Sequence, residues 1–235
     1  MQTATLIIPQ RFNGPPSSGN GGYSCGRLAA FLTGPAKVRL HKPPPLGTEL
    51  QIKHGDASSV DMYEGDMLVA SAVPCQFEMN IPTPPSPARA RDASTRFARY
   101  QDHVFDTCFV CGPGRPAHDG LELFPGPVDD WGLLACPWTP GEDMLDADGN
   151  VRSEIVWSAL DCPGYFAIAR ERKLHALLGE LEGELMQPVK GGQTMVVFSW
   201  PIEEAGRKSY AGTAIAREDG TILARSRSTW ISLDP

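Results

Sequence analysis

Two stretches of the sequence hold residues that can do chemistry on a carbonyl group. Gly19-Asn-Gly-Gly22 runs directly into a helical pattern. A helix N-terminus presents unpaired backbone N–H groups and a partial positive charge, and glycines let a ligand come close to them. Such a site can hold a carbonyl oxygen that gains negative charge during acyl transfer. The same residues also read as a plain cap and loop. The second stretch is Ile155-Val-Trp-Ser-Ala-Leu-Asp161-Cys-Pro-Gly164. An acid amid apolar residues is costly if buried unpaired, which makes Asp161 a candidate functional group. A solvent-facing position, or a cap for the segment that restarts after Pro163, fits it too.

Other motifs carry less. Gly22-Tyr-Ser-Cys-Gly26 satisfies G-x-S-x-G, but a nucleophile elbow follows a buried strand, and Pro15-Pro-Ser-Ser-Gly-Asn20 is not one. Cys108-Phe-Val-Cys111 invites a zinc or redox reading. Structural zinc normally wants four ligands in two short-spaced pairs, whereas Cys136 and Cys162 stand single and His103 and His118 do not complete the spacing. The pair therefore reads as a packed turn, and no metal is expected. Glu142, Asp143, Asp146 and Asp148 lack EF-hand spacing, and Asp146-Ala-Asp-Gly149 is more simply a turn. Neither nucleotide-binding glycine motif occurs.

The elements that must position these groups recur. Thr3–Pro9 is β-branched and apolar, the loop 15–22 follows, and Tyr23–Thr33 has helical spacing that stops at Gly34-Pro35. Short alternating segments come next at Ala36–His41, Thr48–Lys53, Ser58–Glu64 and Met67–Phe77. Ile81–Thr95 carries Pro82, Pro84, Pro85 and Pro87, which favour extended geometry, so it reads as a stiff surface tether. Its arginines (Arg89, Arg91, Arg96, Arg99) read as a solvated basic cluster. Then the order returns. Gly120–Phe124 and Gly132–Trp138 look like strands, and Val151–Ala169 like a helix interrupted at Pro163-Gly164. Leu174–Glu182 looks like a second helical stretch, with Leu174, Leu177, Leu178 and Leu181 on one face. Thr194–Pro201, Ser209–Arg217 and Ile222–Leu233 close with long strands, the last two joined by a turn at Glu218-Asp-Gly220. This is an α+β pattern made twice: residues 1–80, a tether at 81–97, and residues 98–235.

Composition agrees with that class. The chain has 235 residues, 41% of them hydrophobic, so it can bury a sizeable core. Gly 24 and Pro 22 suit turn-rich β structure. The net charge of −7 disfavours nucleic-acid binding. No apolar run approaches the roughly 18 residues of a membrane span. No signal peptide is read at the start, and six scattered cysteines do not form a disulfide framework. A soluble, cytoplasmic protein with reduced thiols is expected.

Together these stretches resemble the hotdog-fold acyl-CoA thioesterase superfamily, in the double-hotdog form where one chain carries two copies. In its PaaI-like branch the central helix opens with His-Gly-Gly and a catalytic Asp follows nine residues after the His. Val151–Asp161 is similar in its apolar frame and places Asp161 on that acid, but it opens with Arg152-Ser153-Glu154. Asn20-Gly21-Gly22 matches the opening, but nine residues on from Asn20 stands Ala29. Cys108–Gly112 with Gly120–Phe124, and the closing Gly220–Leu233, are also similar to family segments. The resemblance implies two hotdog units, each a central helix wrapped by an antiparallel sheet, packed as a pseudo-dimer. It implies one composite site with Asp161 as base or nucleophile, Gly21 and Gly22 amides at the oxyanion, and Asn20 orienting water or acyl group. Asn13, Trp157 and Tyr165 are candidate substrate contacts, and Trp131, Trp138 and Phe166 further candidates for an apolar pocket. The implied partner is an acyl-CoA or related thioester, with no cofactor beyond the coenzyme A of the substrate. A homo-oligomer of the double unit is compatible with it. A hotdog that only binds an acyl or other small ligand, and an acyl-thioester hydratase or dehydratase, are the alternatives.

Overall fold

The computed structural model describes residues 4–98, 103–130, 132–170, 172 and 174–233. Arg99 and Trp131 lie outside them. Among these residues eleven strands form one antiparallel sheet: β1 (Ala4–Ile7), β2 (Ala36–Leu40), β3 (Glu49–His54), β4 (Val60–Glu64), β5 (Met67–Pro74), β6 (Gly126–Pro127), β7 (Leu134–Trp138), β8 (Ala176–Leu185), β9 (Met195–Ala205), β10 (Lys208–Ala216) and β11 (Ile222–Ser232). Four α-helices join them: α1 (Gly21–Ala29), α2 (Pro87–Ser94), α3 (Ser153–Ala159) and α4 (Cys162–Ala169).

The strand order across the sheet is β1-β3-β4-β5-β2-β8-β11-β10-β9-β7-β6. Read outward from its middle, each half repeats one scheme, with β2, β5, β4, β3 and β1 on one side answered by β8, β11, β10, β9 and β7 on the other. Each half also sends its helix across the same face of the sheet, after β1 or after β7. The fold is α+β, two hotdog units side by side. They join where equivalent strands meet, β2 pairing with β8 from Ala36↔Gly183 to Arg39↔Glu180. Charge supports that seam: Lys37 Nζ and Arg227 Nη2 each lie 2.7 Å from a carboxylate oxygen of buried Glu182, and Arg39 meets Glu180 at 2.8 Å.

Four local expectations are corrected. Leu174–Glu182 is not helical, because Ala176–Leu185 is β8. The pairing skips Gly179 between Leu178↔Trp230 and Glu180↔Thr229. That bulge inserts one residue and turns Leu178 and Leu181, three apart, to the same buried face. A strand thereby acquires helix-like spacing. Gly120–Phe124 is irregular: Glu122 has a positive φ of 54°, and pairing begins only at Gly126. The tether carries α2, capped by the Ser86 hydroxyl with Pro87 in the first turn, where its missing N–H costs nothing. Buried Ala90 and Ala93 seat α2 on the outer face of the sheet, in a core with Val196, Phe198 and Trp200. Of its arginines, Arg89 pairs with Asp129 and Arg96 with Asp92. The fourth correction is the helix break, which falls at Leu160-Asp161, ahead of Pro163.

Replacing Glu182 by Ala leaves Lys37 and Arg227 unpaired at the seam. Both still reach water, so the loss should fall below the ~3–5 kcal/mol typical of breaking a fully buried pair. We expect a urea midpoint shifted down by about 1–2 kcal/mol of stability at unchanged slope; an unshifted midpoint would show that the backbone ladder alone holds the halves together.

Candidate active site

The two stretches singled out as candidates for carbonyl chemistry meet. Helices α1 and α3 pack against each other through glycines. A Cβ on Gly22 would stand 2.5 Å from the Trp157 carbonyl oxygen and 2.6 Å from the Asp161 Cβ, and one on Gly26 would stand 2.7 Å from the Glu154 Cα. Only bare backbone lets the start of α1 approach the end of α3 so closely.

Asp161 is delivered there by the break. It lies between α3 and α4 with φ −90° and ψ −82°, and α4 restarts with Pro163 in its first turn. Buried serines of the sheet bond the carbonyls around the break: Ser226 Oγ donates to the Leu160 oxygen at 3.0 Å and Ser199 Oγ to the Pro163 oxygen at 2.7 Å. The Asp161 carboxylate then meets the start of α1. The Gly22 N–H donates to its Oδ2 at 2.8 Å, and Asn20 Nδ2 donates to the same oxygen at 3.1 Å. Asn20 caps the helix as well, its Oδ1 accepting from the Tyr23 N–H at 2.9 Å.

Asp161 Oδ1 is buried without a hydrogen-bond partner among the described residues. Burial pushes the carboxyl up to about 7, against the pull of the Gly22 N–H, with the nearby Cys108 adding to the rise and Asn20 opposing it. The Gly21 N–H likewise makes no hydrogen bond among the described residues.

Gly21 and Asp161 line a cavity of about 620 Å³ together with Tyr165, Leu178 and Trp230, a volume within the range of small-molecule sites. The Tyr165 hydroxyl donates to the Leu174 oxygen at 2.5 Å, which holds its ring in the wall.

Two candidate contacts stand elsewhere. Asn13 is spent on backbone: its Nδ2 donates to the Gly14 and Thr107 oxygens at 3.0 and 3.1 Å, and its Oδ1 accepts from Arg115 at 2.7 Å. Trp157 does not line the cavity; its ring lies over Gly183. Trp138 and Phe166 are core residues outside the lining. Ser24 of G-x-S-x-G is buried within α1 and donates to the Asn20 oxygen at 2.8 Å, a helix-interior bond rather than a nucleophile elbow. The acidic stretch is a turn, Asp146 Oδ1 accepting from the Asp148 and Asn150 N–H groups.

Sequence reasoning weighed Cys162 as a zinc ligand and set it aside as a single cysteine. It stands beside Asp161 and comes to the Cys108/Cys111 turn, the three sulfurs lying within 4.8 Å of one another. Its signal was direct adjacency to the candidate acid. Lys42 lines the cavity without having been singled out, and so does His103, which was weighed only as a zinc ligand.

Comparisons with known proteins agree with the architecture. No protein-family model matches the chain, and no curated protein matches it in sequence. Among solved structures, a candidate thioesterase from Novosphingobium aromaticivorans superposes with a TM-score of 0.63 at 13% identity, covering 97% of this chain and 94% of that one. The TesB protein of Mycobacterium avium subspecies paratuberculosis gives 0.59 at 14%, covering 97% and 91%. A candidate oleoyl thioesterase from Lactobacillus plantarum gives 0.59 at 10%, covering 99% and 96%. At these identities the likeness is one of fold, and it spans both halves. Among the described residues, no helix is long and apolar enough to cross a membrane.

Two outcomes test the site's packing. Gly22→Ala forces α1 from α3 and should cost about 1–3 kcal/mol, read as a melting temperature lower by about 2–4 °C per kcal/mol. An unchanged melting temperature would contradict the close approach. Asp161→Asn keeps an acceptor for Gly22 and Asn20 but cannot ionise. An unfolded Asp ionises near 3.9 and the folded one only near 7, so the wild type loses stability as pH rises between those values. With EDTA and a thiol reductant present, the variant should melt several degrees higher at pH 8, with the gain vanishing towards pH 4. A gain equal at both pH values would refute the raised carboxyl.

Proposed function

We propose that this protein hydrolyses an acyl thioester, an acyl-CoA foremost, at the single composite site where Asp161 meets the start of α1. The observation that carries this reading is the pairing of two unsatisfied groups on residues that both line the cavity. Among the described residues, the Gly21 N–H has no acceptor and Asp161 Oδ1 has no donor. A thioester carbonyl needs a donor for the oxygen that becomes negative and a base for the water that attacks its carbon.

The roles divide by geometry. The thioester oxygen lodges against the Gly21 N–H at the positive end of α1. Asp161 Oδ1 takes a proton from a water, whose oxygen bonds to the carbonyl carbon while charge moves onto the carbonyl oxygen. Collapse of that tetrahedral species breaks the carbon–sulfur bond and expels the thiolate, which takes up the proton that Asp161 received and so restores the carboxylate. The Gly22 amide, already bonded to Asp161 Oδ2, holds the acid rather than the substrate. Asn20 does the same from its capping position. Tyr165, Leu178 and Trp230 give the acyl group an apolar wall. No cofactor is required beyond the coenzyme A of the substrate, and a soluble, cytoplasmic protein suits such a substrate.

Thiol release from a panel of short, long, branched and aromatic acyl-CoAs tests the reading. We expect turnover with at least one class, and a fall in kcat of about 10²–10⁴-fold in Asp161→Ala, the usual contribution of a positioned general base. Undiminished turnover in that variant would remove Asp161 from the chemistry. Panel members that raise the melting temperature without releasing thiol would mark a ligand-binding protein instead. Enoyl absorbance formed from a 3-hydroxyacyl-CoA would mark a dehydratase.

A further inference from the structure

The cavity wall next to Asp161 contains a group of side chains that hydrolysis does not use. Cys108, Cys111 and Cys162 are all buried and all line the cavity. They come from two separate segments, the turn at 108–111 and the first residue of α4, yet their sulfurs share one small volume. Cys108 Sγ and Cys162 Sγ are 3.7 Å apart. Thiolates bound to one tetrahedral zinc ion at about 2.3 Å each stand about 3.8 Å from one another.

The turn that carries two of them is rigid. The Gly112 N–H donates to the Cys108 oxygen at 2.9 Å, and a Cβ at Gly112 would lie 2.4 Å from the Asp106 oxygen. The neighbouring chain pins it from both sides, Phe109 N–H to the Asn13 oxygen at 2.8 Å and Leu123 N–H to the Val110 oxygen at 2.9 Å. Asn20 Nδ2 points at the Cys162 sulfur from 3.7 Å. Donors aimed at sulfur stabilise thiolate, the form that binds metal.

We propose that Cys108, Cys111 and Cys162 form a binding site for a thiophilic divalent cation of the zinc type, with the fourth coordination position on the cavity side. Binding displaces the thiol protons and forms three metal–sulfur bonds, without any change of oxidation state. Three ionised sulfurs this close repel one another strongly, and the cation removes that repulsion. Two ligands come from the C-x-x-C turn, and the third comes from the residue after the candidate acid. The site thus ties the turn to the α3–α4 break that presents Asp161. It stands apart from the thioesterase reading, since its test reads binding and not turnover.

Cobalt(II) is the probe, added without oxygen to the full-length protein after reduction with a phosphine and removal of bound metal. We expect one equivalent to produce a sulfur-to-cobalt charge-transfer band and the intense visible bands of a tetrahedral site, both bleached by zinc. Cys111→Ser and Cys162→Ser should each lose the charge-transfer intensity of one thiolate and release cobalt to a mild chelator, while Cys25→Ala keeps the full spectrum. Circular dichroism identifies any variant that fails to fold, and the wild-type titration decides the matter without it. Absence of the band in reduced wild-type protein would overturn the site and leave the three sulfurs as packing. An unaltered spectrum in folded Cys162→Ser would overturn its three-thiol composition.

Discussion

A carboxylate bonded to a helix start is the interaction on which the rest of this structure depends. Asp161 Oδ2 accepts from the Gly22 N–H and from Asn20 Nδ2, yet the group is almost completely buried. Its desolvation is only partly offset, as its raised ionisation shows. Such an arrangement persists only if the surroundings hold it in place. Here they do so by backbone contact: α1 and α3 meet through Gly22 and Gly26, where any side chain would collide. The break after α3 serves the same end, since a continuous helix would carry the residue past the start of α1. Its carbonyls are answered by Ser199 and Ser226, buried hydroxyls on the sheet face beneath.

The duplicated architecture explains why the acid and the glycines come from opposite halves. Equivalent strands β2 and β8 pair antiparallel at the seam, so the two helices lie side by side and the start of each faces the end of the other. Two such meeting points result, and they are not alike. At one, Asn20, Gly21 and Gly22 face Asp161. At the other, α3 opens with Arg152, Ser153 and Glu154, and α1 ends at Ala29. Arg152 makes no side-chain cap bond, whereas Asn20 makes one. Neither helix start can imitate the other, and among the described residues an Asn-Gly-Gly helix start faces an acid once.

Much of this was legible in the sequence because short-range rules governed it. Asn20-Gly21-Gly22 announces a capped, accessible helix start, and an acid in an apolar helix marks a position under constraint. The strand–loop–helix–strand order, made twice, could be read from alternation and turns. What failed did so where tertiary contact overrides local pattern. The bulge at Gly179 shifts the phase of β8 and mimics a helix. Proline-rich composition implied extension, but Ser86 and Pro87 start a helix once Ala90 and Ala93 have a sheet face to cover. Asn13 and Trp157 show the limit for polar and aromatic residues: their types suit a pocket, yet nothing local says which way they point.

Cys162 illustrates a different kind of illegibility. Ligand spacing along a chain is informative only when the ligands are local. Cys108 and Cys111 satisfy that condition, but their third partner lies beyond 50 residues of intervening chain. It arrives through the same break that presents Asp161. A displacement of α4 along its axis would therefore move a carboxylate and a thiol together, the one from the start of α1 and the other from the turn at 108–111. Because Asn20 donates to both residues, the start of α1 senses that displacement as well. The glycine approach, the acid and the sulfurs are consequently not three independent features. They are one packing solution, in which the close glycine approach of two helices brings the Asp161 carboxylate and the Cys162 sulfur to the same Asn20 side chain.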